Sequence, residues 1–187
     1  QLYDGKASYI HASNKGVTFV SGNKILRVPT SGGKATTLAT GKDIKKLSVL
    51  GDTLYYLDGN KLERQAANVD AQEIASNVTD FTVDVFQYTA YTAGPDGIWS
   101  IGLNGNAPER LLSSPADQVQ VVDSVVFYRS GGSVYRLQDG VSVLILDGNV
   151  SWMGIYRDKL YYISGYTLYR SDTDGKNSQV FATASIS

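Results

Sequence analysis

Cysteine is absent from the 187 residues, histidine occurs once and glutamate three times. Without thiols there is no disulfide framework and no thiolate metal site. A single imidazole, His11, cannot build a His-rich zinc centre. It reads as a structural histidine, although its ordinary pKa near neutrality would suit a general base. No apolar run approaches the roughly 20 residues that a membrane-spanning helix requires. An excess of one charge is also missing: 17 Lys and Arg against 18 Asp and Glu leave a net charge of -1. That balance gives no electrostatic footprint for nucleic acid or an anionic membrane. No nucleophile elbow, phosphate loop or dinucleotide turn follows a strand-helix pattern. No window of eleven or more residues keeps a 3.6-residue apolar period, so no long helix is expected.

What the chain does have is a repeat. The stretch Asp158–Ala182 reads as an apolar-aromatic strand, a Gly turn, a strand ending in Tyr-Arg, an Asp-Gly turn and a third strand. Gly51–Ala75 and Asp123–Leu146 repeat it closely, Lys15–Ala39 and Phe86–Leu112 more loosely. Arg27, Arg64, Ser100, Arg136 and Arg170 hold equivalent places, at spacings of 37, 36, 36 and 34 residues. A further β-rich segment precedes each copy: Ser8–Ala12, Lys45–Leu50, Asp80–Val85, Gln118–Val122 and Ser151–Ile155. The unit is therefore four short strands, A to D, joined by tight turns. Gly22, Gly59, Gly131, Gly132 and Gly165 sit in the B–C turns, where a positive φ is expected. Ser31-Gly32-Gly33, Asn104-Gly105, Asp139-Gly140 and Asp174-Gly175 mark the C–D turns.

A whole-unit period near 36 residues selects the β-propeller, whose blade is one four-stranded antiparallel sheet. Blades pack face to face, which explains why strand B reads LYYL, VVFY or LYYI instead of alternating. The expected fold is all-β, a single five-bladed β-propeller domain over 1–187, with blades at 7–39, 44–75, 78–112, 117–146 and 150–182. The alternative is part of a six-bladed ring. All five units run A to D in order, so no strand is exchanged between the ends unless Leu2–Tyr3 docks on the last blade. Gln1 in place of a start Met suggests a processed or excised chain. The Ser, Thr, Asn, Gly and Tyr-rich surface vocabulary leans towards an extracytoplasmic location, secreted or at the cell surface.

The phrases LYYLDGNKLER, LYYISGYTLYRSDTDGKN and ILRVPTSGGKATTL resemble YWTD-like and TolB-like propeller repeats, nearest those of bacterial surface proteins. The resemblance covers nearly the whole chain and implies a propeller with a binding role, leaving the ligand open. No copy carries the full Tyr-Trp-Thr-Asp motif, and that family usually has six blades.

Recurrent residues are expected to hold the array together. Each repeated Arg should lay its stem on the neighbouring blade and bond a carbonyl or Asp, and Tyr55, Tyr56, Tyr161 and Tyr162 should be packing residues. Asp172-Thr173-Asp174-Gly175-Lys176-Asn177 is similar to a calcium loop but lacks a distal Glu, and it falls where every unit has a turn. Asn77-Val78-Thr79 and Asn149-Val150-Ser151 match the glycosylation acceptor pattern. Function is expected in residues that do not repeat. With A innermost, one rim gathers Tyr9, Asp43, Lys46, Asp80, Asp117, Gln118 and Trp152, a set suited to a sugar or a partner side chain. The expectation is a non-catalytic, monomeric module of a larger protein, binding protein or glycan without a cofactor or metal. The alternative is a glycoside hydrolase with two carboxylates in the central cavity. Glu63, Glu73 and Glu109 all fall on C or D strands, away from it.

Overall fold

In the computed structural model, residues 2–104 and 106–183 are described, and every regular element among them is a β-strand. The fold is all-β, a five-bladed β-propeller: five four-stranded antiparallel sheets, each made of strands consecutive in the chain. Two compact units divide it, Gln1–Val78 with two blades and Thr79–Ser187 with three. The turn between Asn104 and Asn106 lies partly outside the described residues, Gly105 included.

The first unit opens with β1 (Ser8–Ser13), β2 (Gly16–Ser21), β3 (Lys24–Val28) and β4 (Thr36–Thr40). Its second blade is β5 (Ile44–Leu50), β6 (Thr53–Asp58), β7 (Lys61–Gln65) and β8 (Gln72–Ala75). Val20, Ile25 and Ala39 of the first blade pack on Ile44, Val49, Leu54 and Tyr56 of the second. The opposite face of the first blade buries Phe19, Leu26 and Val28 under Tyr3. The Tyr3 ring sits 4.7 Å from Phe19, and its hydroxyl meets Ser21 Oγ at 3.1 Å. The N-terminal Tyr3 thus docks on its own first blade, because a bare apolar sheet face next to it in the chain is the cheapest place to bury a ring.

The second unit holds β9 (Asp80–Asp84), β10 (Thr89–Gly94), β11 (Gly97–Gly102) and β12 (Glu109–Leu112), then β13 (Gln118–Val122), β14 (Val125–Ser130), β15 (Ser133–Gln138) and β16 (Val141–Leu146). Its last blade is β17 (Val150–Tyr156), β18 (Lys159–Ser164), β19 (Thr167–Asp172) and β20 (Gln179–Thr183). Tyr91, Ala93 and Ile98 pack on Val119, Val126 and Tyr128 between its first two blades. Phe127 and Val134 pack on Met153, Ile155, Leu160 and Tyr162 between its last two. In these two blades one tyrosine pair recurs: Tyr128 stacks on Tyr135 at 5.0 Å and Tyr162 on Tyr169 at 5.1 Å, with Tyr128 bonded to Ser142 and Tyr162 to Ser178.

The repeat read from the sequence is exact in register. Arg27 pairs across from Thr18, Arg64 from Tyr55, Ser100 from Tyr91, Arg136 from Phe127 and Arg170 from Tyr161. A register shift recurs at the same place between the third and fourth strands of all five blades. The five B–C turn glycines all have positive φ. Arg27 behaves as expected, its Nε donating to Thr18 Oγ1 at 3.0 Å and its guanidinium lying 3.8 Å from Asp52 on the next blade. Arg64 departs from that pattern, since its Nε is buried without a hydrogen-bond partner.

Candidate functional site

Within each unit the first strands of successive blades lie side by side, β1 with β5, β9 with β13 and β13 with β17. Most of the residues expected at a rim are engaged with neighbouring groups. Asp80 is only 9% exposed, and its carboxylate accepts the Val119 N–H at 3.0 Å. Gln118 clamps the next blade, donating to the Met153 carbonyl at 2.7 Å and accepting the Met153 N–H at 3.1 Å. Gln120 repeats this two residues on, against Ile155 at 2.8 and 2.7 Å. Asp117 pairs with Arg129 at 3.4 Å and Asp43 with Lys45 at 2.9 Å. Lys46 is half-buried on β5 and also engaged. Tyr9 is exposed on β1, at a positive φ of 51° inside a register shift.

Trp152 is turned outward by the backbone, through a register shift that β5 also has between Ile44 and Lys46. Strict alternation along β17 would place Val150, Trp152 and Gly154 on one face. A register shift between Val150 and Trp152 inserts one residue and exchanges the faces beyond it. Val150, Met153 and Ile155 therefore point into the core, while Trp152, Gly154 and Tyr156 point away. Met153 is fully buried, whereas Trp152 is 43% and Tyr156 63% exposed.

Around Trp152 the last blade, with Gln120 of the blade before it, forms a groove of about 510 Å³, lined also by Gly154, Tyr156, Tyr161, Leu168 and Phe181. Tyr161 sits across from Gly154 in the ladder, and Phe181 meets it edge-on at 5.4 Å and 90°. A Cβ at Gly154 would stand 2.6 Å from Trp152 Cη2 and 2.9 Å from Cζ2, so the indole lies across this residue because it has no side chain. Arg157 caps Tyr156 at 5.4 Å. Among the described residues, no charged one lines the groove.

Ionisable groups elsewhere are held by neighbours. A hydrogen bond and the charge of Lys15 hold Asp52 below the usual carboxylate range. Asp172 is lowered by hydrogen bonds from Lys159 and Asn177, and Asp174 by those from Lys176, so the DTDG turn is tied by Lys176 beside it and by Lys159 of β18. Burial, with Glu73 nearby, raises Glu63. Burial also pushes Tyr56 up to about 12. The three glutamates lie on β7, β8 and β12, as expected.

No protein-family model and no curated protein matches the sequence. Solved structures do. A nidogen/laminin complex is similar with a TM-score of 0.71 at 14% identity, over 91% of this chain and 75% of that one. The extracellular domain of a putative hybrid two-component system from B. thetaiotaomicron is similar at 0.73 and 12%, over 96% and 27%. PorZ, a surface component of the type-IX secretion system of Porphyromonas gingivalis, is similar at 0.66 and 17%, over 100% and 27%. At such identities the likeness establishes the propeller fold alone.

Proposed function

We propose that the chain is a non-catalytic binding or scaffolding module of a larger, extracytoplasmic protein, and that it recognises a protein or glycan. The observation that carries this reading is the uncharged aromatic groove around Trp152. Large exposed apolar patches on a well-packed domain mark interaction sites, and this one is built from four aromatic rings on three strands. The YWTD-like phrasing of the repeats supports a recognition role, as do the extracellular and surface contexts named for two of the similar structures. The hydrolase alternative is disfavoured because Asp80 is buried and turned to the Val119 amide, whereas a glycosidase needs two carboxyl groups flanking the scissile bond.

Trp152→Ala tests the reading. Because the ring is on an exposed face, its loss should move Tm by less than about 3 °C while abolishing binding on an array of glycans and surface proteins. Collapse of the fold would make Trp152 core. Turnover of a polysaccharide would overturn the non-catalytic assignment.

A further inference from the structure

Resting on that binding reading, we infer that the protein recognised at the Trp152 groove is a second copy of this chain, which presents the opposite face of its first blade. The groove is the front of a blade, the surface that one blade earlier packs on its successor. Ladder register fixes the equivalence. Trp152 pairs with Ile163 and Gly154 with Tyr161, as Gln118 pairs with Arg129 and Gln120 with Phe127. Leu168 likewise pairs with Ile163 as Val134 does with Arg129. Phe127 and Val134 are buried against the last blade, whereas Tyr161 and Leu168 are only half-buried and Trp152 is exposed. The last blade thus carries a packing face that stays open.

The complementary face is on the same chain. At the junction of the last two blades, Gln118 and Gln120 meet Met153 and Ile155, which are buried on the back of the following blade. In the first blade His11, across from Thr18, holds the place of Gly154, across from Tyr161. Its neighbours Ile10 and Ala12 therefore hold those of Met153 and Ile155, yet Ile10 is 66% exposed and Ala12 is exposed as well. Tyr3 packs on the other part of that back, over Phe19, Leu26 and Val28. Docked head to tail, Trp152 of one copy lies over Ile10 of a second copy and Gly154 over Ala12. The groove lining is uncharged, as are Ile10 and Ala12, so apolar burial drives the contact without stranding a charge. Because the two faces differ, the contact is heterologous.

The test uses the full chain. Sedimentation from low to high micromolar concentration should show the mass rising above that of one copy. Trp152→Ala and Ile10→Lys each spoil one face, and each should stay monomeric alone. Both side chains are exposed, so circular dichroism and Tm at low concentration should be retained. Mixed in equal amounts, the two variants should form a complex of one copy of each, since each keeps the face that the other lacks. In a Trp99→Phe background Trp152 is the sole tryptophan, and its emission should shift to the blue as copies associate. A chain that is monomeric at every concentration would overturn the inference. So would self-association that survives Ile10→Lys, which would assign the groove to a symmetric contact between two last blades. A monomer whose Trp152 is already shielded from acrylamide would also overturn it and place the covering face within one chain. In each of these cases, capture of a glycan or a different protein that is lost on Trp152→Ala would leave the binding module standing, whereas turnover of a polysaccharide would sink that module.

Discussion

Removing one side chain should cost this protein more than its exposure suggests. Gln120→Ala deletes both bonds to Ile155, the 2.8 Å donation to its carbonyl and the 2.7 Å acceptance from its N–H. Ile155 is buried, so two backbone polar groups lose their partners together. Each unsatisfied group costs about 1–3 kcal/mol. Gln120 also lines the open groove, where water can take up one of the two places. The expected loss is therefore at the lower end, about 2 kcal/mol, or roughly 4–8 °C in Tm for a chain of this size. Urea unfolding followed by far-UV circular dichroism measures it, with the slope unchanged between variants. Gln120→Glu provides the internal control: the acceptor for Ile155 N–H survives, but a carboxylate oxygen faces the carbonyl. It should be at least as damaging as Ala at pH 7. A loss below about 0.5 kcal/mol for Gln120→Ala would refute the idea that these glutamine clamps hold successive blades together.

Two other perturbations have directions set by the structure. Gly97→Ala places a Cβ 1.9 Å from the Leu112 carbonyl oxygen at φ +106°, whereas Gly165→Ala at φ +59° meets nothing within 4 Å. Denaturation should find Gly165→Ala costing about 1 kcal/mol and Gly97→Ala at least about 3; equal costs would refute the close approach at Gly97. Glu63 is raised by burial and by Glu73, so its charged form is disfavoured in the fold. Stability is therefore greater below its unfolded value near 4.5 and falls as pH rises through that value and the folded one. Glu63→Gln should raise Tm at pH 7, with the gain fading below pH 4.5; a gain independent of pH would point to packing instead.

Much of the fold was legible because it is written locally. Turn glycines, strand composition and the 36-residue spacing all act within one blade, so Arg27, Arg64, Ser100, Arg136 and Arg170 hold the same register position in their blades. The rim was legible only as an address. Asp80 and Gln118, expected at a ligand-binding rim, bond backbone groups of the next blade, and no local pattern marks a peptide group 35 or 39 residues away. Gln120, absent from the expected set, makes the same clamp as Gln118. Its sequence signal was faint: two glutamines at alternate positions of one strand, QVQ, facing a neighbour that offers bare peptide groups.

Trp152 divides the two kinds of information. By itself the amino-acid sequence determined that Trp152 lies on the first strand of a blade and that the blade is one of five, since periodicity and turn chemistry are short-range. Which way the ring points was decided only by the tertiary structure. One inserted residue between Val150 and Trp152 exchanges the faces of β17, and beyond it Met153 and Ile155 join Val150 in the core with Phe127 and Val134. Side-chain alternation has a period of two, so a single-residue slip moves a tryptophan from the core to the surface.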